Sequence, residues 1–152
     1  MRSLKIFTHN HNGFTIVELL VVLGIVASVG SLGLFLNMDF YQGYSFNYEQ
    51  NLFVSVIQRA RSEAMANINQ SKRGVCIIGS DYVISEGDIC TDGDTFPKSS
   101  TVTVTWPVGI TTLIFNQIDG SCTTCIVPVV ITLAGPGKTS TITVNNEGQI
   151  DW

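Results

Sequence analysis

One carboxylate lies inside an otherwise apolar run that is long enough to cross a bilayer. Residues 14–36 are all apolar, Gly, Ser or Thr except for Glu18. At about 1.5 Å per residue, a helix of this length covers the roughly 30 Å hydrocarbon core of a membrane. An ionisable side chain at that depth costs free energy unless it is paired, so Glu18 is predicted to have a function.

The segment before the run supplies an expected partner for Glu18. A short polar stretch, residues 1–13, precedes the apolar residues and ends in Gly13. An ordinary secretory signal is instead cut after its apolar part. A cut between Gly13 and Phe14 creates a free amine four residues from Glu18, on its own subunit or on a neighbour. A plain signal-anchor helix with an accidental glutamate is the alternative interpretation.

This arrangement resembles the class III leader of type IV prepilins and type II secretion pseudopilins. The resemblance is carried by Gly13 and the following Phe-Thr-Ile-Val-Glu-Leu-Leu at residues 14–20. It implies that a membrane prepilin peptidase cleaves after Gly13 and N-methylates Phe14. It also implies that Glu18 serves filament assembly, with other pilins or pseudopilins as partners.

The basic residues predict the orientation of the chain in the membrane. Arg2 and Lys5 precede the apolar run, and no Lys or Arg follows it until Arg59. The positive-inside rule therefore places the leader in the cytoplasm and the remainder outside it, after a single pass through the inner (cytoplasmic) membrane. The predicted leader, anchor helix and extracytoplasmic domain are residues 1–13, 14–36 and 37–152.

An amphipathic helix is predicted to continue to about residue 70. Apolar residues recur there at spacings of three and four, which is typical of a helix that packs on a sheet. The Ala-Arg-Ser-Glu-Ala sequence at residues 60–64 resembles the helix end of the GspH/FimT family of minor pseudopilins and minor pilins. Arg59 and Glu63 stand four positions apart, as a solvated ion pair or as a contact to a neighbouring pilin.

After Gly74 the pattern changes from helix to strand. Residues 101–106 and 141–144 alternate, and 110–115 and 126–133 are β-rich apolar runs separated by Gly, Pro and Asn turns. The order of helix and then strands predicts an α+β fold, with a long N-terminal helix packed on an antiparallel β domain. This is the pilin-like fold that both resemblances imply.

Four cysteines, Cys76, Cys90, Cys122 and Cys125, are predicted to form disulfides outside the cytoplasm. Cys76 and Cys90 flank two short strands around a Gly-Ser-Asp turn, so we expect them to pair with each other. Cys122 and Cys125 then form the second bridge. Two alternatives remain open: a thioredoxin-like redox pair at Cys122 and Cys125, or a zinc site made by all four cysteines.

The sequence offers little for catalysis or for a cofactor. Its two histidines, His9 and His11, lie in the leader and would be lost on processing. The acidic, glycine-containing loop at 86–94 could gather oxygens around calcium, but it lacks EF-hand spacing. We therefore predict a protein that is not an enzyme, with no cofactor and no bound metal.

Three functions are compatible with these features. The favoured one is a structural subunit that primes or caps a type II secretion pseudopilus or a type IV pilus. Some FimT-like proteins bind DNA through a C-terminal Gly-Arg-x-Arg motif, but residues 148–151 read Gly-Gln-Ile-Asp here and the net charge is −4. No nucleic-acid partner is therefore expected. A membrane-tethered thiol oxidoreductase using Cys122 and Cys125 is the third hypothesis.

Overall fold

The computed structural model describes Gly13 and residues 15–152, and within the helix the side chains of residues 32–40 lie outside this description. A helix α1 (Ile16–Met65) and a short 3₁₀ helix (Ile68–Gln70) precede eight strands. The strands are β1 (Arg73–Ile78), β2 (Asp81–Glu86), β3 (Gly93–Pro97), β4 (Thr103–Thr105), β5 (Thr112–Phe115), β6 (Val129–Gly135), β7 (Lys138–Val144) and β8 (Ile150–Asp151). By its contacts the chain forms two units, Met1–Phe40 and Tyr41–Trp152.

Within the second unit, α1 buries the predicted apolar face. Phe53, Ile57, Ala60 and Ala64 follow one another at helical spacing and are fully buried. The α-helix ends at Met65 because the chain turns into the left-handed region at Asn67, where φ is 52°. Asparagine tolerates this conformation and commonly ends helices.

The strands form two antiparallel four-stranded sheets. The first sheet has the order β3-β2-β1-β5 and contains the predicted hairpin of β1 and β2, whose register pairs Cys76 with Val83. The second sheet has the order β4-β6-β7-β8, and the predicted Gly-Pro-Gly turn joins β6 to β7. The predicted α+β fold, with its helix packed on antiparallel strands, is therefore confirmed.

One hydrophobic core joins the helix to both sheets. Phe53 of α1 packs on Tyr82 of β2 with ring centroids 4.7 Å apart, and meets the Trp106 ring edge-on at 6.1 Å. Ile131 and Ile142, which face each other in the second sheet, are fully buried in the same core. Burial of this apolar surface is the main force that holds the domain together.

Candidate functional site

The predicted assembly segment begins with a capped helix. Thr15 Oγ1 accepts a hydrogen bond from the Glu18 backbone N–H at 3.3 Å, and the Thr15 carbonyl accepts from the Leu19 N–H at 3.1 Å. Thr15 and Glu18 thus stand at the first and last positions of a Thr-x-x-Glu capping box. The Thr-Ile-Val-Glu sequence at residues 15–18 carries this signal in addition to the charge of Glu18.

The observed bond is the one that Thr15 accepts from the Glu18 backbone, and the Glu18 carboxylate stands in the first helical turn. A carboxylate in the first turn also favours the helix through the backbone dipole. Of the predicted processing site, Gly13 is exposed, whereas Phe14 lies outside the described residues. Cleavage, N-methylation and pairing of Glu18 with an amine stay predictions.

The first half of α1 exposes an apolar surface around Glu18. Ile16 is 82% exposed and Val26 is 62% exposed, and the described side chains from 15 to 31 are all exposed. Apolar patches of this extent usually mark a surface that another molecule covers. Within the described residues, no helix is both long enough and apolar enough to cross a membrane.

The four cysteines form the two expected bridges. Cys76 of β1 is joined to Cys90, which follows β2, with Cα atoms 6.2 Å apart. Cys122 is joined to Cys125 with Cα atoms 5.2 Å apart. Both members of the second bridge are fully buried in the hydrophobic core, where a thiolate could not reach them without local opening. This placement disfavours the thioredoxin-like interpretation and the four-cysteine zinc site.

The helix end that resembles the GspH/FimT family forms an ion-pair network with the first sheet. Arg59 contacts Glu63 at 2.8 Å and Asp94 of β3 at 2.6 Å, and Arg73 of β1 contacts Glu86 at 3.0 Å. The hydrogen bond to Glu63 raises the pKa of the Arg59 guanidinium. Arg59 and Glu63 therefore hold the helix against the sheet as well as pairing with each other.

The acidic loop at 86–94 has basic partners in the chain. Lys72 Nζ lies 3.3 Å from Asp88, and Arg59 contacts Asp94 as described above. A hydrogen bond donated by Asn69 lowers the pKa of Glu86. Among the described residues, no group of three His, Cys, Asp or Glu side chains is arranged to hold a metal ion.

A buried carboxylate on α1 was missed in the sequence. Glu49 is 1% exposed, accepting a hydrogen bond from the Tyr82 hydroxyl at 2.7 Å and another from the Ser99 N–H at 3.1 Å. Burial raises the pKa of Tyr82, and the bond to Glu49 adds to this effect. The available signal was spacing, because Glu49 stands four positions before Phe53 on the apolar face.

The C-terminal tail, where some FimT-like proteins carry their DNA-binding motif, packs on α1. Gly148 has a φ of 73° and ends a turn in which its N–H donates to the Asn145 carbonyl at 2.9 Å. A Cβ at Gly148 would overlap the Gly120 carbonyl oxygen, so only glycine fits there. Asp151 then pairs with Thr143 at the edge of the second sheet.

Comparison with known proteins supports the predicted N-terminal leader and the predicted pilin-like fold. Residues 8–34 match the family model of the prokaryotic N-terminal methylation motif. No curated protein sequence matches the chain.

Two crystal structures of the Pseudomonas aeruginosa (strain PAO1) type IV minor pilin FimU share the fold. The P65 crystal form has a TM-score of 0.56 and 16% identity, covering 69% of this chain and 90% of FimU. The P21 form has a TM-score of 0.54 and 15% identity, covering 72% and 86%. The chain thus carries a prepilin-type N-terminal methylation motif, followed by a domain with the fold of a type IV minor pilin.

Proposed function

We propose that this chain is a minor pilin or minor pseudopilin, a structural subunit that enters a filament and primes or caps its assembly. The proposal rests on one observation: the same chain has an N-terminal methylation motif and the fold of a minor pilin. The proposal covers the type IV pilus and the type II secretion pseudopilus, because the leader resembles those of both systems. A subunit of this kind acts through its surfaces and needs no catalytic group.

In this proposal a prepilin peptidase cleaves between Gly13 and Phe14 and methylates the new amine of Phe14. Residues 14–36 hold the chain in the inner membrane before assembly, and the folded domain lies outside the cytoplasm. The two disulfides support this compartment, since such bonds persist outside the reducing cytosol. Glu18 then meets the amine of a neighbouring subunit within the apolar surface of α1.

DNA uptake, the alternative function, gains no support from the arrangement of basic residues. Arg59, Lys72 and Arg73 all contact carboxylates of the same chain. Phosphate binding needs cations that are free to replace counterions along one face. Asp151 adds negative charge at the tail position where some relatives carry arginine.

The proposal is tested by following N-terminal processing of the full chain. We expect co-expression with an active prepilin peptidase to give a mature protein that begins with N-methylated Phe14, as read by mass spectrometry of membrane extracts. A Gly13→Val variant should stay uncut, because a branched side chain crowds the bond that is cleaved. A Gly24→Val variant, which changes a glycine inside the apolar run, should be processed normally. An intact Met1 beside an active peptidase would contradict the proposal.

A further inference from the structure

Ile118 holds a backbone conformation that β-branched residues rarely adopt. Its φ is 73°, in the left-handed region where Cβ crowds the backbone. The other described non-glycine residues with positive φ are Asn67, Asn69 and Gln70. Ile118 is also 74% exposed, so its side chain gains almost no burial within the chain.

The loop that carries Ile118 is held by bonds that do not need an isoleucine. The Ile118 N–H donates to the Ala64 carbonyl at the end of α1 at 3.1 Å, and Asp119 accepts from the Ser121 N–H at 3.0 Å. Asparagine or glycine at position 118 could donate the same main-chain bond with less strain. An exposed apolar side chain at a strained position is therefore better explained by a contact with another molecule.

Arg61 lies beside this loop and contacts it through main-chain carbonyl groups. Its Nε and Nη2 donate to the carbonyls of Gly120 and Glu147 at 3.3 and 3.2 Å. Among the described residues no carboxylate lies within 4.0 Å of Arg61, whereas Arg59 and Arg73 each contact two. The Arg61 side chain is partly buried, and no acidic group among the described residues neutralises its charge.

A groove of about 370 Å³ opens next to Arg61. Its lining residues are Gln58, Arg61, Ser62, Met65, Gln149 and Ile150. Met65 is 41% exposed, and the loop carrying Ile118 rests on it, because a Cβ at Gly120 would lie 2.6 Å from Met65 Cγ. The groove therefore combines one cation and several amide and hydroxyl groups with an apolar rim. Ile118 does not line the groove, but its loop adjoins Arg61 and Met65 through Gly120, and we refer to the groove and this loop together as the Arg61 groove.

We propose that the Arg61 groove receives an acidic segment of a neighbouring filament subunit. A partner carboxylate would complete the hydrogen-bonding capacity of Arg61, since guanidinium and carboxylate match each other in shape and charge. An apolar side chain of the partner would cover Ile118 and Met65. Arginine and methionine are enriched at protein interfaces, and arginine is among the residues that most often dominate the binding energy. That the partner is a filament subunit rests on the proposed function. That it presents a carboxylate is inferred from Arg61 in the groove.

The test is photo-crosslinking of the full chain in cells that make the filament, with a benzoyl-phenylalanine probe at Gln149 in the groove. A probe at the fully exposed Val108, between β4 and β5, is the control. We expect Gln149 to give an adduct with a peptide that contains Asp or Glu, from a subunit that has its own N-terminal methylation motif. Adducts only with lipid or with non-pilin proteins, or equal adducts from both probes, would overturn the inference.

Two substitutions separate binding from folding. Ile118→Asn should reduce the Gln149 adduct about tenfold or more. It should also raise the melting temperature of the detergent-extracted chain by a few degrees, because the strain is relieved. Gln58→Glu should give a similar loss of adduct by neutralising Arg61, whereas Asn51→Glu, with the same charge outside the groove, should not.

The outcomes distinguish this inference from the proposed function. A lower melting temperature for Ile118→Asn, or an undiminished adduct in both groove variants, would overturn the inference alone. Failure of the peptidase to process the chain at Gly13 would overturn the proposed function, because that step does not involve the Arg61 groove. If the chain is processed correctly but the adduct is unchanged, the chain is still assigned as a filament subunit and only the inference about the Arg61 groove is rejected.

Discussion

The Tyr82 hydroxyl donates a 2.7 Å hydrogen bond to the buried carboxylate of Glu49. This bond joins α1 to β2, and the second carboxylate oxygen of Glu49 accepts the Ser99 N–H from the segment between β3 and β4. One side chain thus connects the helix to two parts of the β domain. A buried carboxylate is tolerated only where such donors satisfy it.

Removal of this donor should destabilise the domain. Tyr82→Phe leaves the Glu49 carboxylate with one donor fewer, and we expect a loss of about 1–3 kcal/mol in the free energy of unfolding. Tyr48→Phe is the matched control, because Tyr48 is 59% exposed and its change should be close to zero. Urea denaturation followed by circular dichroism measures both variants. Equal stability of Tyr82→Phe and the unchanged protein would contradict the role of this bond.

The same pair predicts a loss of stability at high pH. Burial raises the pKa of Tyr82 in the folded chain, so the neutral phenol is favoured there. The contribution is fully present below the unfolded pKa of about 10 and is lost as the pH rises above that value. Unfolding free energies measured from pH 8 upward should therefore fall above pH 10. Tyr82→Phe should show a smaller fall, and an identical slope would contradict the assignment.

Substitutions of Glu18 should separate its charge from its place in the Thr-x-x-Glu motif at the start of the helix. Glu18→Gln keeps a residue that suits a capping box but removes the charge, whereas Glu18→Ala removes both. If the carboxylate meets an amine in the filament, both variants should remain in the membrane fraction and fail to assemble with their partner pilins. Co-purification with the partner pilins provides the measurement. Normal assembly of Glu18→Gln beside defective Glu18→Ala would contradict a role of the charge and leave Glu18 with a role in starting the helix.

The two disulfides should differ in how much they stabilise the domain and in how accessible they are to a reductant. Cys76 and Cys90 are 14 positions apart and Cys122 and Cys125 only three, so opening the first should cost more, roughly 3 kcal/mol from loop-closure entropy. Cys90 is partly exposed, whereas Cys122 and Cys125 are fully buried. Mild reductant should therefore open the Cys76 bridge first under native conditions. Peptide mapping after alkylation tests the order, and a bridge from Cys76 to Cys122 would contradict both assignments.

The chain should bind duplex DNA weakly or not at all at physiological salt. Three of its six described Lys and Arg side chains, Arg59, Lys72 and Arg73, contact carboxylates, and each DNA phosphate contact requires an available cation. A gel-shift titration of the full chain in detergent at moderate ionic strength measures the affinity. Micromolar binding that weakens steeply with salt, and that is lost in a Lys72→Gln and Arg73→Gln double variant, would restore DNA uptake as the leading function.

Local pattern predicted the long helix and most of the strands of this protein. It did not predict β3, whose first two residues fell in the predicted acidic loop, or β8. The apolar face of α1 follows from helical spacing, because residues such as Phe53 and Ile57 fall on one side of any helix that contains them. The hairpin of β1 and β2 follows from two short apolar runs around a turn, and it brings Cys76 and Cys90 together. Both are properties of neighbouring residues, so a single sequence contains them.

Contacts between distant segments were decided only by the tertiary structure. The division of the strands into two sheets depends on β1 pairing with β5 and β4 with β6, which local pattern does not specify. Glu49 is buried because Tyr82 and Ser99 arrive from elsewhere in the chain to satisfy it. Likewise, the loop of Ile118 takes its strained shape against the end of α1, 54 positions earlier at Ala64. The sequence by itself determined the helix, most of the strands and the processing motif, because these depend on neighbouring residues. The surroundings of charged side chains such as Glu49 depended on how distant segments pack together.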